Sequence, residues 1–304
     1  GTGSVAYRMK QEGKEVTYND LLPFNYLIGK ALIENGNVKL EEREIEELLR
    51  CHANISYPDF IESTFKDIYF TDEENHWLDI VLTNIRWMTD PYKQAIAYFA
   101  LFQSCIIKRP YNLFHRRNLY VRLQDVERSF GNKKTWDTPF EVHFRKFVRE
   151  ANNAVFDNGT CCRAMNNDVF NILPHHDLVY IDTPYLNDAG VGVDYADFYH
   201  FLNGIVNYDR WDSLIDYNSK HLRLRRQFNE WNDASLIRNA FVRLFTLFQD
   251  SVMVISYRSN GIPAIEELVG ILRELNKEVR IHRGVEMKYA LSKRQSSEVL
   301  IIAR

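Results

Sequence analysis

Nine consecutive residues decide the fold: Val179-Tyr180-Ile181-Asp182-Thr183-Pro184-Tyr185-Leu186-Asn187. The apolar run 178–181 has the length of a buried parallel strand. This strand has to end at Asp182, because proline has no backbone donor and restricts the residue before it. The carboxyl ends of the strands line the ligand crevice of an open parallel sheet. We therefore expect a pocket that contains the Asp182 carboxylate, the Thr183 carbonyl and the Tyr185 ring.

Those three groups suit an exocyclic amine on a nucleobase. The carboxylate and the carbonyl can each accept one of its two N–H groups, while the aromatic ring can stack on the base. Four residues are a weak motif by themselves. The plainer interpretation is a turn that ends the strand, with Tyr185 as part of the wall beside it.

Composition indicates a protein with a sizeable core. Of the 304 residues, 45% are hydrophobic and 13% are aromatic, which suits one catalytic domain plus one insertion. No segment approaches the roughly 18 consecutive apolar residues of a membrane helix, and the sequence starts without a signal-peptide pattern. We expect a soluble, cytoplasmic protein that does not contact membranes. The formal net charge of −3 leaves any DNA contact to a local basic surface.

The four cysteines, Cys51, Cys105, Cys161 and Cys162, are predicted to be reduced structural thiols. None has metal-ligand spacing with a histidine or another cysteine, so the sequence predicts no metal site.

The first 20 residues have the pattern of a nucleoside-binding unit. Gly1-Thr2-Gly3 precedes a helix-compatible stretch, 5–12, and a short strand, 14–20, ends in Asp20. Glycine lets the backbone approach a ligand closely, and a carboxylate at that distance can accept from both ribose hydroxyls. A Gly-x-Gly at the start of a sequence is also compatible with a tag scar, but the position of Asp20 favours the nucleoside interpretation.

A second acid, Asp168, ends another predicted strand, 160–168, and begins a short helix. Its carboxylate is suited to the amino group of a cofactor's adenine, with Val169 and Phe170 on either side of the ring. An ordinary helix N-cap is the alternative interpretation.

The region 51–153 loses the alternation of strands and helices and becomes helical and aromatic, which predicts an inserted domain. Residues 104–150 within it contain 11 Lys and Arg against 5 Asp and Glu. Six basic residues there are candidate contacts to DNA phosphates and base edges: Lys108, Arg109, Arg116, Arg117, Lys133 and Lys134. A solvated helix face is the other interpretation, as for most charge runs.

Several of these stretches, taken in order, resemble one enzyme family. Asp182-Thr183-Pro184-Tyr185 resembles the Asp-Pro-Pro-Tyr signature of amino-methylating DNA methyltransferases, and Gly1-Thr2-Gly3 with Asp20 resembles their S-adenosylmethionine loop and ribose acid. Asn166-Asn167-Asp168-Val169 is similar to their N-x-D-V segment. The closing stretches SYRSNGIP (256–263), YALSK (289–293) and SSEVLII (296–302) match almost letter for letter. The ordered set looks like the Dam-like alpha class of DNA adenine-N6 methyltransferases.

This resemblance implies an α/β fold. It would be a Rossmann-like methyltransferase sheet of seven strands, mostly parallel with a closing antiparallel strand, plus the inserted helical domain. Residues 1–50 would belong to the S-adenosylmethionine-binding part, 51–153 to the target-recognition and DNA-binding domain, and 154–304 to the catalytic part. The strand and Phe-x that precede the family's glycine loop do not occur in the sequence. We expect that central strand from upstream in the same polypeptide or from a partner chain.

The resemblance also implies the reaction: transfer of a methyl group from S-adenosylmethionine to the N6 amine of a flipped adenine in double-stranded DNA. Asp182, Thr183, Pro184 and Tyr185 would be the catalytic residues, and Gly1, Thr2, Gly3, Asp20, Asp168, Val169 and Phe170 would bind the cofactor. A cognate restriction endonuclease would be a natural companion. The alternatives are amino methylation of cytosine or of RNA, and a catalytically silent or incomplete DNA-binding subunit. An NAD-dependent oxidoreductase shares the glycine-rich turn but gives no role to residues 182–185.

Overall fold

A computed structural model shows a mixed α/β protein with parallel and antiparallel strand pairs. It describes residues 3–126, 133–184, 186–187, 190, 192, 194–287 and 296–304. The chain divides into two compact units. The helical unit comprises Gly1–Asn167 and Ala196–Arg225, and the strand unit comprises Asp168–Tyr195 and Arg226–Arg304.

The helical unit is built mainly from short and medium helices. These are α1 (Ser4–Gln11), α2 (Pro23–Gly29), α3 (Glu42–Leu49), α4 (Phe60–Thr64), α5 (Asp72–Arg86), α6 (Pro91–Ile107), α7 (Leu119–Leu123), α8 (Lys133–Asp137), α9 (Phe140–Ala154), α10 (Tyr195–Phe198, whose first residue belongs to the strand unit), α11 (His200–Val206) and α12 (Trp211–Leu214). A π-helix, Lys30–Glu34, continues α2. Two parallel strands, β1 (Thr17–Asn19) and β2 (Arg163–Met165), complete the unit.

Two long helices of this unit, α5 and α6, start where the sequence provides caps. Thr71 and Glu74 form a capping box at the start of α5. Asp90 accepts hydrogen bonds from two backbone N–H groups at the start of α6, and Pro91 occupies its first position. Nine residues of α6 are buried, and α9 packs against it. The buried side chains of α6 therefore form the centre of the helical core.

The strand unit contains a four-stranded sheet. The strands and helices of this unit are β3 (Leu178–Ile181), β4 (Leu186–Asn187), β5 (Val252–Arg258), β6 (Gly261–Ile262), β7 (Val279–Met287), β8 (Ser296–Ala303), α13 (Ile237–Leu247) and α14 (Ile265–Glu274). The sheet order is β3-β5-β8-β7, in which β3 and β5 are parallel while β8 is antiparallel to both neighbours. Met253, Ile255 and Tyr257 are buried on one face of β5.

The mixed α/β class is confirmed, and β8 is antiparallel to both of its neighbours, β5 and β7. The largest sheet among the described residues has four strands, fewer than the seven of the implied fold. Residues 51–126 and 133–153 are helical, as the loss of strand–helix alternation predicted, and they lie in the same compact unit as the first 50 residues. None of the helices described is both long and apolar enough to cross a membrane.

Candidate active site

Asp182 is the first residue beyond β3. The strand pairs in parallel with β5, from Leu178 opposite Val252 to Ile181 opposite Ile255. Side chains alternate along a strand, and here Ile181 is buried whereas Asp182 is exposed. The carboxylate therefore lies at the carboxyl end of a parallel strand pair and is open to solvent.

β3 ends at Ile181, before the proline, as predicted. The turn that follows the strand consists of Asp182, Thr183 and Pro184. Thr183 and Pro184 are half-buried, and the Thr183 hydroxyl has no hydrogen-bond partner among the described residues. Tyr185, the predicted stacking ring, lies outside the described residues. The structure thus brings three of the four predicted catalytic residues together in one turn.

A short antiparallel ladder follows this turn. In β4, Leu186 lies opposite Ile262 and Asn187 lies opposite Gly261. The closing stretch 256–263 is therefore held directly beside the turn that carries Asp182. The sequence did not predict this pairing, because two-residue strands have no readable hydrophobic period.

Gly261 allows this ladder to form against the ring of Tyr257. A Cβ atom at position 261 would lie 2.6 Å from two carbon atoms of that ring and from its hydroxyl oxygen. The Tyr257 hydroxyl donates a 2.7 Å hydrogen bond to the Pro263 carbonyl, and burial raises the pKa of this tyrosine. The Tyr257 ring is therefore held by close packing against Gly261 and by the hydrogen bond of its hydroxyl.

The amino-terminal residues keep the predicted order of glycine, helix, strand and acid. Gly3 has φ 75° and precedes α1, and Asp20 immediately follows β1. The Asp20 carboxylate accepts hydrogen bonds from the Leu22 backbone N–H, at 2.8 Å, and from Asn25 Nδ2, at 2.9 Å. It therefore also helps to start α2, a role that the sequence did not reveal. Gly1 and Thr2 lie outside the described residues.

Asp168 does act as a cap. Its side chain accepts a 3.0 Å hydrogen bond from the Phe170 backbone N–H, which starts the one-turn 3₁₀ helix Val169–Asn171. Asp168 is exposed, while Val169 and Phe170 are half-buried. Because each carboxylate oxygen has two lone pairs, capping leaves capacity for a ligand. The two interpretations of this acid are compatible.

The six basic residues of the insertion fall into two groups. Arg116, Arg117 and Lys134 are exposed, and Lys133 is half-buried. Lys108 and Arg109 are each only 1% exposed. The structure gives no support to a direct phosphate contact by Lys108 or Arg109, because their charged groups already bind the protein itself.

Lys108 holds together elements that are far apart in the sequence. Its Nζ donates to the carbonyl oxygens of Trp136, at 2.7 Å, and Thr138, at 2.5 Å, and lies 2.8 Å from Glu74 Oε1. Burial lowers the pKa of this lysine. Burial alone would raise the pKa of Glu74, but hydrogen bonds and charge from Arg122 and Lys108 lower it.

Arg109 has an equivalent role in the loop that follows α6. Its guanidinium donates to the carbonyl oxygens of Tyr69 and Arg116, each at 3.1 Å, and of Leu113, at 3.3 Å, and to the Asn118 side chain. Burial lowers the pKa of Arg109 to about 9, so it stays charged near neutrality. Arg109 therefore positions the loop that carries Arg116 and Arg117.

The comparisons with known proteins identify the class. Residues 1–242 match the D12 class N6 adenine-specific DNA methyltransferase family. The chain belongs to this family and is an N6 adenine-specific DNA methyltransferase, as the sequence resemblance predicted. A methyl donor and a DNA substrate follow from that class.

Three curated relatives are type II enzymes or modification methylases. The chain is 29% identical over 290 residues to the type II methyltransferase M2.HphI of Haemophilus parahaemolyticus, covering 92% of this chain and 80% of that protein. It is 25% identical to the type II methyltransferase M.FokI of Planomicrobium okeanokoites, with 99% of this chain and 46% of that protein covered. It is also 25% identical to the modification methylase StsI of Streptococcus sanguinis, with 91% and 41% covered. The chain thus spans less than half the length of the latter two, and no solved structure matches it.

Proposed function

We propose that the protein methylates adenine N6 at specific sites in double-stranded DNA, with S-adenosylmethionine as the donor, and that a cognate restriction endonuclease accompanies it. The observation that carries the proposal is the position of Asp182-Thr183-Pro184 at the open carboxyl end of the β3–β5 pair. The names of the type II relatives support a restriction–modification setting.

The chemistry follows from the two acceptors in this turn. The adenine amine is a poor nucleophile because its lone pair is delocalised into the ring. Asp182 accepting one N–H and the Thr183 carbonyl accepting the other would favour a tetrahedral nitrogen whose lone pair is available for in-line attack. S-adenosylmethionine, when bound, supplies an electrophilic methyl group on sulfur. The amine would lose one proton on methylation, and the exposed Asp182 carboxylate would accept that proton and pass it to solvent.

The base must leave the duplex to reach this turn. Flipping costs a few kcal/mol, which stacking on Tyr185 and hydrogen bonds in the pocket would offset. Pro184 restricts the backbone of Thr183 and so keeps its carbonyl in a fixed direction.

We propose that two acids and their neighbours bind the methyl donor. Asp20, at the end of β1, would accept from the ribose hydroxyls, and the glycine loop Gly1-Thr2-Gly3 would approach the donor closely. Asp168 would accept from the donor's adenine amine, with Val169 and Phe170 flanking that ring. The support is that both acids directly follow, or lie close after, a parallel strand of the helical unit.

For DNA recognition we retain the insertion, 51–153, between the cofactor part, 1–50, and the catalytic part, 154–304. Arg116, Arg117, Lys133 and Lys134 would contact phosphates, because their side chains are accessible. Lys108 and Arg109 would act beneath them by fixing the loop and its neighbours.

The sheet edges favour a further strand in the working molecule. Among the described residues, β1 pairs with β2 alone and β3 pairs with β5 alone, so each keeps one open edge. An open edge presents unpaired backbone N–H and C=O groups to which another strand can pair. We propose that a further strand, from the same polypeptide or from a partner chain, belongs to the seven-stranded fold of the working molecule. The open edges are also the best support for the second candidate, a DNA-binding subunit that is inactive by itself.

Sequencing of methylated bases in DNA from cells that express the protein tests the proposal, with Asp182→Ala as the control. Methylated adenine at a recurring site, lost in the variant, is the expected result. Methylated cytosine would favour the other amino methylation instead. Retained DNA binding without any methylated base would favour the inactive subunit.

A further inference from the structure

The ring of Phe170 is held by a cation and a second aromatic ring within the strand unit. The guanidinium carbon of Arg243, on α13, lies 3.8 Å from the centroid of the Phe170 ring. The Trp231 ring lies nearly parallel to Phe170, with an interplanar angle of 10° and centroids 6.2 Å apart. Guanidinium groups stack on aromatic faces in this way through cation–π attraction.

Arg243 is itself oriented by Glu230. Its Nη1 donates to both carboxylate oxygens, at 2.9 and 3.1 Å. The Arg243 side chain is 55% exposed, so solvent screens this ion pair and it adds little to the stability of the fold. Its geometric effect is larger, because the pair fixes the guanidinium plane over Phe170.

Trp231 links the same ring to the core. It is 8% exposed and packs edge-on against Phe241, with centroids 5.2 Å apart. The Asn229 side chain accepts a 3.0 Å hydrogen bond from the Trp231 backbone N–H, which fixes the turn Glu230–Asn232. Phe170 is therefore oriented from α13 and from this turn, while the Asp168 cap fixes its backbone.

We propose that Arg243, aligned by Glu230, and Trp231 are positioning residues for the adenine of the methyl donor, because they hold the Phe170 ring in the orientation that adenine contacts. This inference rests on the proposed cofactor role of Phe170 and extends it to residues that no sequence motif marks. Arg243 lies over the Phe170 ring, so the adenine would contact a part of that ring that Arg243 leaves uncovered. Loss of Arg243 should therefore weaken the binding of a nucleoside sulfonium or thioether, because the Phe170 ring is no longer held. It should leave DNA binding unchanged.

The test is a double-mutant cycle with S-adenosylhomocysteine as the calorimetric probe. Arg243→Ala should weaken its binding roughly two- to fivefold, the effect expected for an exposed cation–π contact. Arg243→Lys, which keeps the cation, should recover part of the loss. Arg238→Ala, an exposed arginine on the same helix, is the matched control and should leave affinity unchanged. In methylation assays, Arg243→Ala should raise KM for S-adenosylmethionine while kcat at saturating donor stays within about twofold.

The Phe170→Leu background decides whether Arg243 acts through the ring. Arg243→Ala should have little additional effect there, because the ring it orients is gone. An equal loss in both backgrounds, or unchanged affinity in Arg243→Ala, would overturn the inference while leaving the proposed function intact. A wild-type protein with no affinity for the probe would instead refute the cofactor assignment on which the inference rests.

Discussion

The buried guanidinium of Arg109 donates a 3.1 Å hydrogen bond to the backbone carbonyl of Arg116, whose own side chain is exposed. Two arginines in one basic run therefore have different functions. Arg109 fixes the backbone of the loop, and Arg116 presents a charge on its surface. The difference leads to opposite expectations for their removal.

Replacing Arg116 and Arg117 together by alanine should weaken DNA binding and reduce the slope of log affinity against log salt by about two, since each lost phosphate contact removes roughly one unit. Fluorescence anisotropy over a salt series measures this slope. The thermal stability of this double variant should stay close to that of the wild type.

Lys108→Ala and Arg109→Ala are the matched contrast. Each leaves buried carbonyl groups without a donor, and Lys108→Ala also leaves Glu74 without one of its cations. We expect a loss of stability of about 3 kcal/mol or more. A lower salt slope in these variants without any loss of stability would show instead that Lys108 and Arg109 contact DNA.

Asp182→Ala should abolish methyl transfer and leave donor and duplex binding within a few fold, because this carboxylate acts on the target amine. Asp177→Ala, which removes an exposed acid from the other end of β3, should retain activity. Tritiated methyl transfer to DNA measures both. Tyr185→Ala should be impaired less than Asp182→Ala, and near-normal turnover by Asp182→Ala would refute the catalytic assignment.

Asp20→Asn should weaken S-adenosylmethionine binding roughly ten- to a hundredfold, the effect of losing a charged hydrogen bond. The amide oxygen can still accept from the Leu22 N–H, so the start of α2 should survive. Calorimetry measures the affinity, and a thermal melt checks the fold. Unchanged affinity would mean that the ribose binds elsewhere.

The helical unit should lose stability in acid because of His200. This residue is fully buried, its Nδ1 has no hydrogen-bond partner in the described part of the chain, and Nε2 lies 2.7 Å from the Tyr69 hydroxyl. Burial, with the nearby His221, Arg109 and Arg223, lowers its pKa to about 3. The folded-state pKa lies below the ordinary value of about 6.5. The stabilising contribution is therefore present above that value and is lost as pH falls towards the folded-state pKa.

Between pH 6.5 and 4.5 this residue should cost about 2–3 kcal/mol of unfolding free energy. Urea titrations of wild type and His200→Gln at several pH values measure the difference. The variant should be less stable at neutral pH but should lose less on acidification. Equal pH dependence in the two proteins would show that His200 is not the titrating group.

Sequence reasoning succeeded where a local pattern determines the result. The apolar run and the proline gave the bounds of β3. It failed for Lys108 and Arg109, because their partners lie up to 40 residues away in the sequence. A basic run shows that charges are present, but the tertiary fold decides which of them point inward. The contact between Arg243 and Phe170 could not be predicted either, because these two residues are also far apart in the sequence.

The close approach of Gly261 to the Tyr257 ring restricts what evolution or a directed library can accept at this position. Any side chain there would push the buried ring away from the Pro263 carbonyl or separate β6 from β4, and both changes would disturb the segment next to Asp182. Under selection for methylation, a library randomised at 261 should return glycine almost exclusively. Neighbouring position 260 should accept several residues, because Asn260 contributes its side chain to Arg258 and not its backbone to the ladder.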